Sequence, residues 1–213
     1  MSDEMMNASG MIIDAKLDIV ETIKEGISIG IKNAAAILVN VVLWVVTLWI
    51  PYLNVGTTIG LFVGIVSKAS KGEGISSTEI FNPVYRKYIG EYFLTAGLMY
   101  MGIAVGVVFM IIPGIVISLA WCFALLLVID KHKNPTEALA LSNQCTYGFK
   151  WKIFAIYMIV SIAVSIVNVL LSGIVGSFSS GLAVCILIIM LIISIFIMIG
   201  VQASMYKQLT ADV

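Results

Sequence analysis

The chain has 213 residues, of which 61% are apolar and 11% charged, against about 25% charged in a soluble domain. Together with a mean hydropathy of +1.09, this excludes an ordinary soluble domain and makes lipid the solvent in which to reason. Twelve basic and twelve acidic side chains cancel, so no basic excess is present to hold nucleic acid.

The first ten residues, MSDEMMNASG, are polar and acidic and lack the charged and apolar regions of a cleaved signal peptide. Residues 11–31 read as an amphipathic helix on the membrane surface. Ile13, Leu17, Val20, Ile23, Ile27 and Ile31 fall on one face, and Asp14, Asp18, Glu21 and Glu25 on the other. The acidic face suits either water or a basic protein partner. Span 1 covers about 33–50 and span 2 about 52–67, with Pro51 at the turn. Span 2 is short, about 24 Å against a hydrocarbon core of about 30 Å. Its Gly56, Gly60 and Gly64 make a flat stripe suited to close helix packing. In the polar segment that follows, Ser76 and Glu79 have the spacing of a capping box and Ile75 and Ile80 that of a staple, which predicts a short surface helix broken at Pro83. Span 3, about 92–112, carries a second stripe at Gly102 and Gly106, and Pro113-Gly114 is the expected turn into a short span 4, about 115–129. Asn134, Pro135 and Glu137 are N-cap, N1 and N3 of a polar helix ending near Thr146, with Gly148 as its break. Spans 5 and 6 cover about 153–171 and 182–203, joined by a Gly/Ser-rich linker over 172–181. The fold class is therefore all-α: one six-span membrane domain over 1–213, in three hairpins with amphipathic cytoplasmic helices.

Every Lys and Arg lies in the N-terminal segment, the two long loops or the C-terminal tail, and none in the turns after spans 1, 3 and 5. Basic residues stay cytoplasmic, which puts both termini and both long loops in the cytoplasm. Trp44, Trp49, Tyr52, Trp121 and Trp151 include several near span ends, as interface anchors do.

Catalytic chemistry is not visible. No ionisable residue lies in the middle of a span, which argues against a proton relay. The single histidine, His132, and three scattered cysteines offer neither a metal site nor a disulfide framework, and no phosphate loop is present. No cofactor is expected. What remains is uncharged polarity: Asn40 within span 1, and Ser161, Ser165, Asn168 and Ser172 along one face of span 5. These serve either as contacts between helices or as the lining of a polar cavity.

Ala138-Leu139, Ser142, Thr146, Gly148, Trp151-Lys152 and Phe154, with Ile112-Pro113-Gly114 upstream and Lys71-Gly72-Glu73-Gly74 before Ile80-Phe81, resemble the signature of a prokaryotic six-span membrane family. That family includes the membrane domain of some bacterial glycerophosphodiester phosphodiesterases. The resemblance implies a prokaryotic cytoplasmic membrane protein. It brings no catalytic residues, because the phosphodiesterase activity belongs to a separate barrel domain for which this chain has no room. The expectation is a non-enzymatic membrane module: a scaffold for partners at the cytoplasmic face or, alternatively, a channel or carrier for a small uncharged or amphipathic solute. The bilayer is its certain partner, and the glycine stripes suit contacts within one chain or within a homo-oligomer.

Overall fold

The computed structural model describes residues 5–6, 12–13, 17–176 and 180–211. The chain is all-α, apart from a minimal antiparallel pairing of Met5–Met6 (β1) with Ile12–Ile13 (β2). Five helical segments are long and apolar enough to cross a membrane: Pro51–Ser70, Ile89–Phe109, Ile111–Asp130, Lys150–Val175 and Val184–Leu209. A sixth exists only if two helices bent by 69° are counted as one. These are α1 (Ile19–Lys32) and α2 (Ala34–Thr47). The bend falls at Asn33, whose backbone N–H and side-chain Nδ2 both bond back to the Ile29 carbonyl and close the first helix.

The first helix differs from its expected form over 11–31. It begins at Ile19, because Asp18 is extended and its carboxylate accepts the Glu21 N–H as an N-cap. Ile12 and Ile13 belong to β2, while Met11 and the stretch 14–16, Asp14 included, lie outside the described residues. The isoleucine face directs its packing only in part: Leu17 is buried and Ile23 packs against the core, but Val20, Ile27 and Ile31 stay exposed. Thr22, Gly26 and Gly30 are buried instead, against α11 (Ser180–Leu209). A Cβ on Gly26 would come within 2.6 Å of the Val201 Cα, and one on Gly30 within 2.5 Å of the Phe196 carbonyl oxygen. Small residues four apart let the backbones meet.

Span 2 is α3 (Pro51–Ile59), a π-helical stretch Gly60–Gly64 and α4 (Ile65–Ser70). In the polar segment beyond, the expected capped helix is absent. Only a 3-10 turn forms at Glu79–Phe81, because the Glu79 carboxylate is drawn inward to Lys68 and Tyr85 and cannot return to Ser76. Pro83 does not end a helix; it precedes one turn, α5 (Val84–Lys87).

Span 3 is α6 (Ile89–Phe109). The turn lies at extended Met110, not at Pro113-Gly114; Pro113 sits in the first turn of α7 (Ile111–Ala120), where no intrahelical N–H bond is required of it. Gly106 and Gly114 face each other across this hairpin, and Gly102 lies under the Trp121 ring. Span 4 is broken at residues 121–123 before α8 (Ala124–Asp130). The polar helix α9 (Pro135–Thr146) has the expected Asn134 cap, and Gly148 follows with φ 81°. α10 (Lys150–Gly176) and α11 absorb much of the expected Gly/Ser linker into helix; residues 177–179 lie outside the described ones.

The molecule is polarised. Buried side chains gather at one end, in residues 59–70, 119–129, 138–156 and 199–210. The opposite ends of α2, α7, α10 and α11 expose Val, Ile and Leu, and α6 exposes apolar side chains along most of its length, most of all at Val108 and Phe109. We call these the packed end and the apolar end.

Candidate functional site

Four polar arrangements hold the packed end together. The first fills the break in span 4. Where α7 stops, the Ala120 carbonyl and the Phe123 N–H lose their helical partners. Ser142 Oγ donates to Ala120 O at 2.8 Å and accepts from Phe123 N at 3.2 Å. Thr146 Oγ1 donates to Ser142 O at 2.9 Å, with Ala120 O at 3.3 Å. Both hydroxyls are fully buried, so α9 plugs the gap with side chains. Of the other residues in that motif, Trp151 is exposed, and Lys152 places its Nζ 5.6 Å from the centre of the Phe149 ring.

The second joins three helix ends. Asp130, closing α8, accepts from Ser67 Oγ and from Tyr206 Oη at 2.9 Å and pairs with Lys71. Lys71, Lys131 and Lys207 sit at the carboxyl ends of α4, α8 and α11, where the helix dipoles favour positive charge. A cavity of about 190 Å³ lies among them, but its lysines are accounted for by these carboxyl ends and by Asp130 and Glu25.

The third lies against span 2. Asn40, with no exposed surface, donates Nδ2 to Ser76 O at 2.8 Å and accepts the Ile80 N–H at 3.1 Å. Glu79, 3% exposed, accepts from Lys68 at 2.8 Å, Tyr85 Oη at 2.8 Å and Asn82 at 3.3 Å. Burial pushes its carboxyl up, but these bonds and the Lys68 charge outweigh burial and hold it below the usual range. Burial first, then Glu79, pushes the Tyr85 phenol up. The Gly56, Gly60 and Gly64 stripe receives this segment and not another span: Arg86 lies at Gly56, Ile80 at Gly60 and the Tyr85 ring at Gly64.

The fourth ties α1 to α11. Glu25 accepts from Lys207 at 2.7 Å, Ser204 at 2.6 Å and Gln208 at 3.1 Å. Two of the acidic groups on the outer face of α1 therefore have internal work, Asp18 as a cap and Glu25 as this anchor.

The largest cavity described, about 520 Å³, lies between α3 and α6. Its wall is mostly apolar, with Asn54, Thr58, Tyr92 and Tyr100 as polar members and Gly97 open to it. Trp44 Nε1 donates to Thr58 Oγ1 at 2.9 Å, and Thr58 leans on Asn54 Oδ1 at 3.5 Å. Asn54 Nδ2 is buried and has no hydrogen-bond partner. Asn54 is not among the polar residues the sequence singles out; the signal that could have found it is a carboxamide one turn into an apolar, proline-started arm. A separate, almost wholly apolar cleft of about 290 Å³ lies between α7 and the start of α10.

The span 5 residues do not line any of these three cavities. Ser161 and Ser165 are exposed, Ser172 bonds to its own helix at Val169 O, and Asn168 Oδ1 is buried and unpartnered. The fold does not bring Asn40 to them; it bonds to the 76–80 segment. Among the described residues no cluster of three His, Cys, Asp or Glu side chains could hold a metal. Burial pushes the Cys145 thiol up to about 11, which makes it a poor nucleophile. Compared with protein-family models, curated protein sequences and solved structures, the chain has no significant match.

Proposed function

We propose that this integral membrane protein is a non-enzymatic binding module that holds one amphipathic, lipid-like molecule in the cavity between α3 and α6. The observation that carries this reading is the buried Asn54 Nδ2 without an acceptor on the wall of a mostly apolar 520 Å³ space. An unpaired buried amide is costly; a turn of the Asn54 side chain would bring Nδ2 into the cavity, where a ligand could offer it an ester, carboxyl or amide oxygen and lay a hydrocarbon chain on the wall. The volume lies within the usual range of small-molecule sites. A scaffold for a basic partner draws less support, because Asp18 and Glu25 are engaged within the chain. A channel draws less still, because the span 5 stripe lies outside the three cavities described.

The test is lipid extraction and native mass spectrometry of the full chain purified from its membrane. One bound molecule per protein is expected. Gly97→Leu fills open space in the cavity, since no atom lies within 4 Å of a Cβ there, and should abolish retention while leaving the fold intact. Asn54→Leu should weaken retention about fivefold, the worth of one hydrogen bond. Wild-type protein without a bound molecule, or Gly97→Leu protein retaining one, would sink the proposal.

A further inference from the structure

Arg86 belongs to a polar loop by sequence, yet its side chain lies 2.8 Å from where a Cβ on Gly56 would stand. Gly56 is only six residues, about 9 Å, from the α2–α3 turn. On the other arm, Asn40 binds Ser76 and Ile80 about seven residues before that turn. The segment carrying Glu79, Arg86 and Lys87 therefore girdles this hairpin halfway along. If the hairpin crossed a core of about 30 Å, those charges would stand deep in hydrocarbon, where ionisable groups are costly. Only about 10 Å of hairpin projects beyond the girdle, and its tip is apolar and bare: Trp49 is 90% exposed.

The second hairpin repeats the pattern. α7 is ten residues long, about 15 Å, and at its end the chain breaks against α9, which exposes Glu137 and Asn143. The other arm, α6, has 21 residues, about 31 Å, but its first half, Tyr92 to Tyr100, shares a wall with Leu125 of α8 on the packed side. The α6–α7 tip is again an exposed apolar run, Val108 to Ile112. The third hairpin differs in length and in its tip. α10 and α11 have 27 and 30 residues, about 40 and 45 Å, and the stretch 172–181 where they meet in sequence is rich in Gly and Ser.

We propose that the α2–α3 and α6–α7 hairpins are an interaction surface for the acyl chains of one leaflet only, the leaflet on the side of the packed end, and that the α10–α11 hairpin alone crosses the bilayer. The apolar tips end among lipid chains, and the end of α10 and the start of α11 reach the opposite face. The basic residues of the loops make the packed side cytoplasmic. This placement does not depend on what the cavity holds.

The test uses the full chain in sealed membranes. Cys185→Ser removes the exposed native thiol and sets the background; single cysteines then replace Trp49, Ile111, Ser180 and Lys131. A membrane-impermeant maleimide is expected to label the Ser180 and Lys131 positions from opposite sides. The Trp49 and Ile111 positions should react from neither side until detergent is added. Labelling of either from the Ser180 side overturns the proposal. A bimane on the same two positions measures depth independently: stronger quenching by a nitroxide at the acyl-chain end than by one in the far headgroups is expected, and the reverse order overturns it.

Discussion

Ser142→Ala tests whether α9 is a plug for the broken span. The serine makes two buried hydrogen bonds to backbone groups that have lost their helical partners, at Ala120 and Phe123. Ala120 keeps a weaker donor in Thr146 at 3.3 Å, but the Phe123 N–H has no substitute. Leaving one buried donor unpaired costs about 1–3 kcal/mol, and the second bond adds up to about 1. We expect a loss of about 2–3 kcal/mol, or a melting temperature lower by about 5–10 °C for a chain of this size. Thr146→Ala should cost about 1 kcal/mol, because its main acceptor, Ser142 O, is already in a helix. The double variant should depart from additivity, since the two hydroxyls share Ala120 O. Unfolding is followed by circular dichroism in mixed micelles. A Ser142→Ala protein within about 0.5 kcal/mol of wild type, or one more stable than Thr146→Ala, would refute the plug.

Two further outcomes follow from the packing and the charges. Gly200→Leu should destabilise by about 1–3 kcal/mol or more in the same assay, because its Cβ would run into the Gly26 carbonyl of α1; Gly97→Leu, in open space, should cost nothing. The Glu79 carboxyl is held below its usual range, so the unfolded chain binds this proton more readily than the folded one. The stability it contributes is present above about pH 5 and drains as pH falls through the folded value, and Glu79→Gln should flatten that part of the pH profile of unfolding.

What could be read from the sequence was local. Asn134, Pro135, Glu137 and Gly148 specify α9 by themselves, since cap, N1, N3 and break act within a few residues. The apolar runs and their short second arms were legible for the same reason. The role of Gly56, Gly60 and Gly64 was not: a glycine groove shows that something approaches closely, and not whether it is a helix or the 80–86 segment. Thr22, Gly26 and Gly30 were hidden behind a more conspicuous isoleucine stripe, because in lipid an exposed isoleucine carries no penalty and hydrophobicity ceases to mark the inside. The meeting of Ser67, Asp130 and Tyr206 depends on three helix ends far apart in sequence.

That change of solvent also decides where function is best sought. Away from water, buried backbone groups must be paired from within the protein, and this chain commits its buried polar side chains to that task and to internal ion pairs. Asn40 closes the 76–80 turn, Ser142 and Thr146 close the break in span 4, and Asp130 and Glu79 each hold a lysine and a tyrosine. A polar group so occupied cannot also bind a ligand without opening the fold. Asn54 Nδ2 and Asn168 Oδ1 are the buried side-chain atoms without partners among the described residues. Asn168 stands on a helix whose outer half is exposed, apart from the three cavities. Asn54 stands on the wall of the largest of them. The polar group the fold leaves unspent therefore coincides with the space it leaves unfilled, which favours a bound amphipathic molecule over a structural role for Asn54.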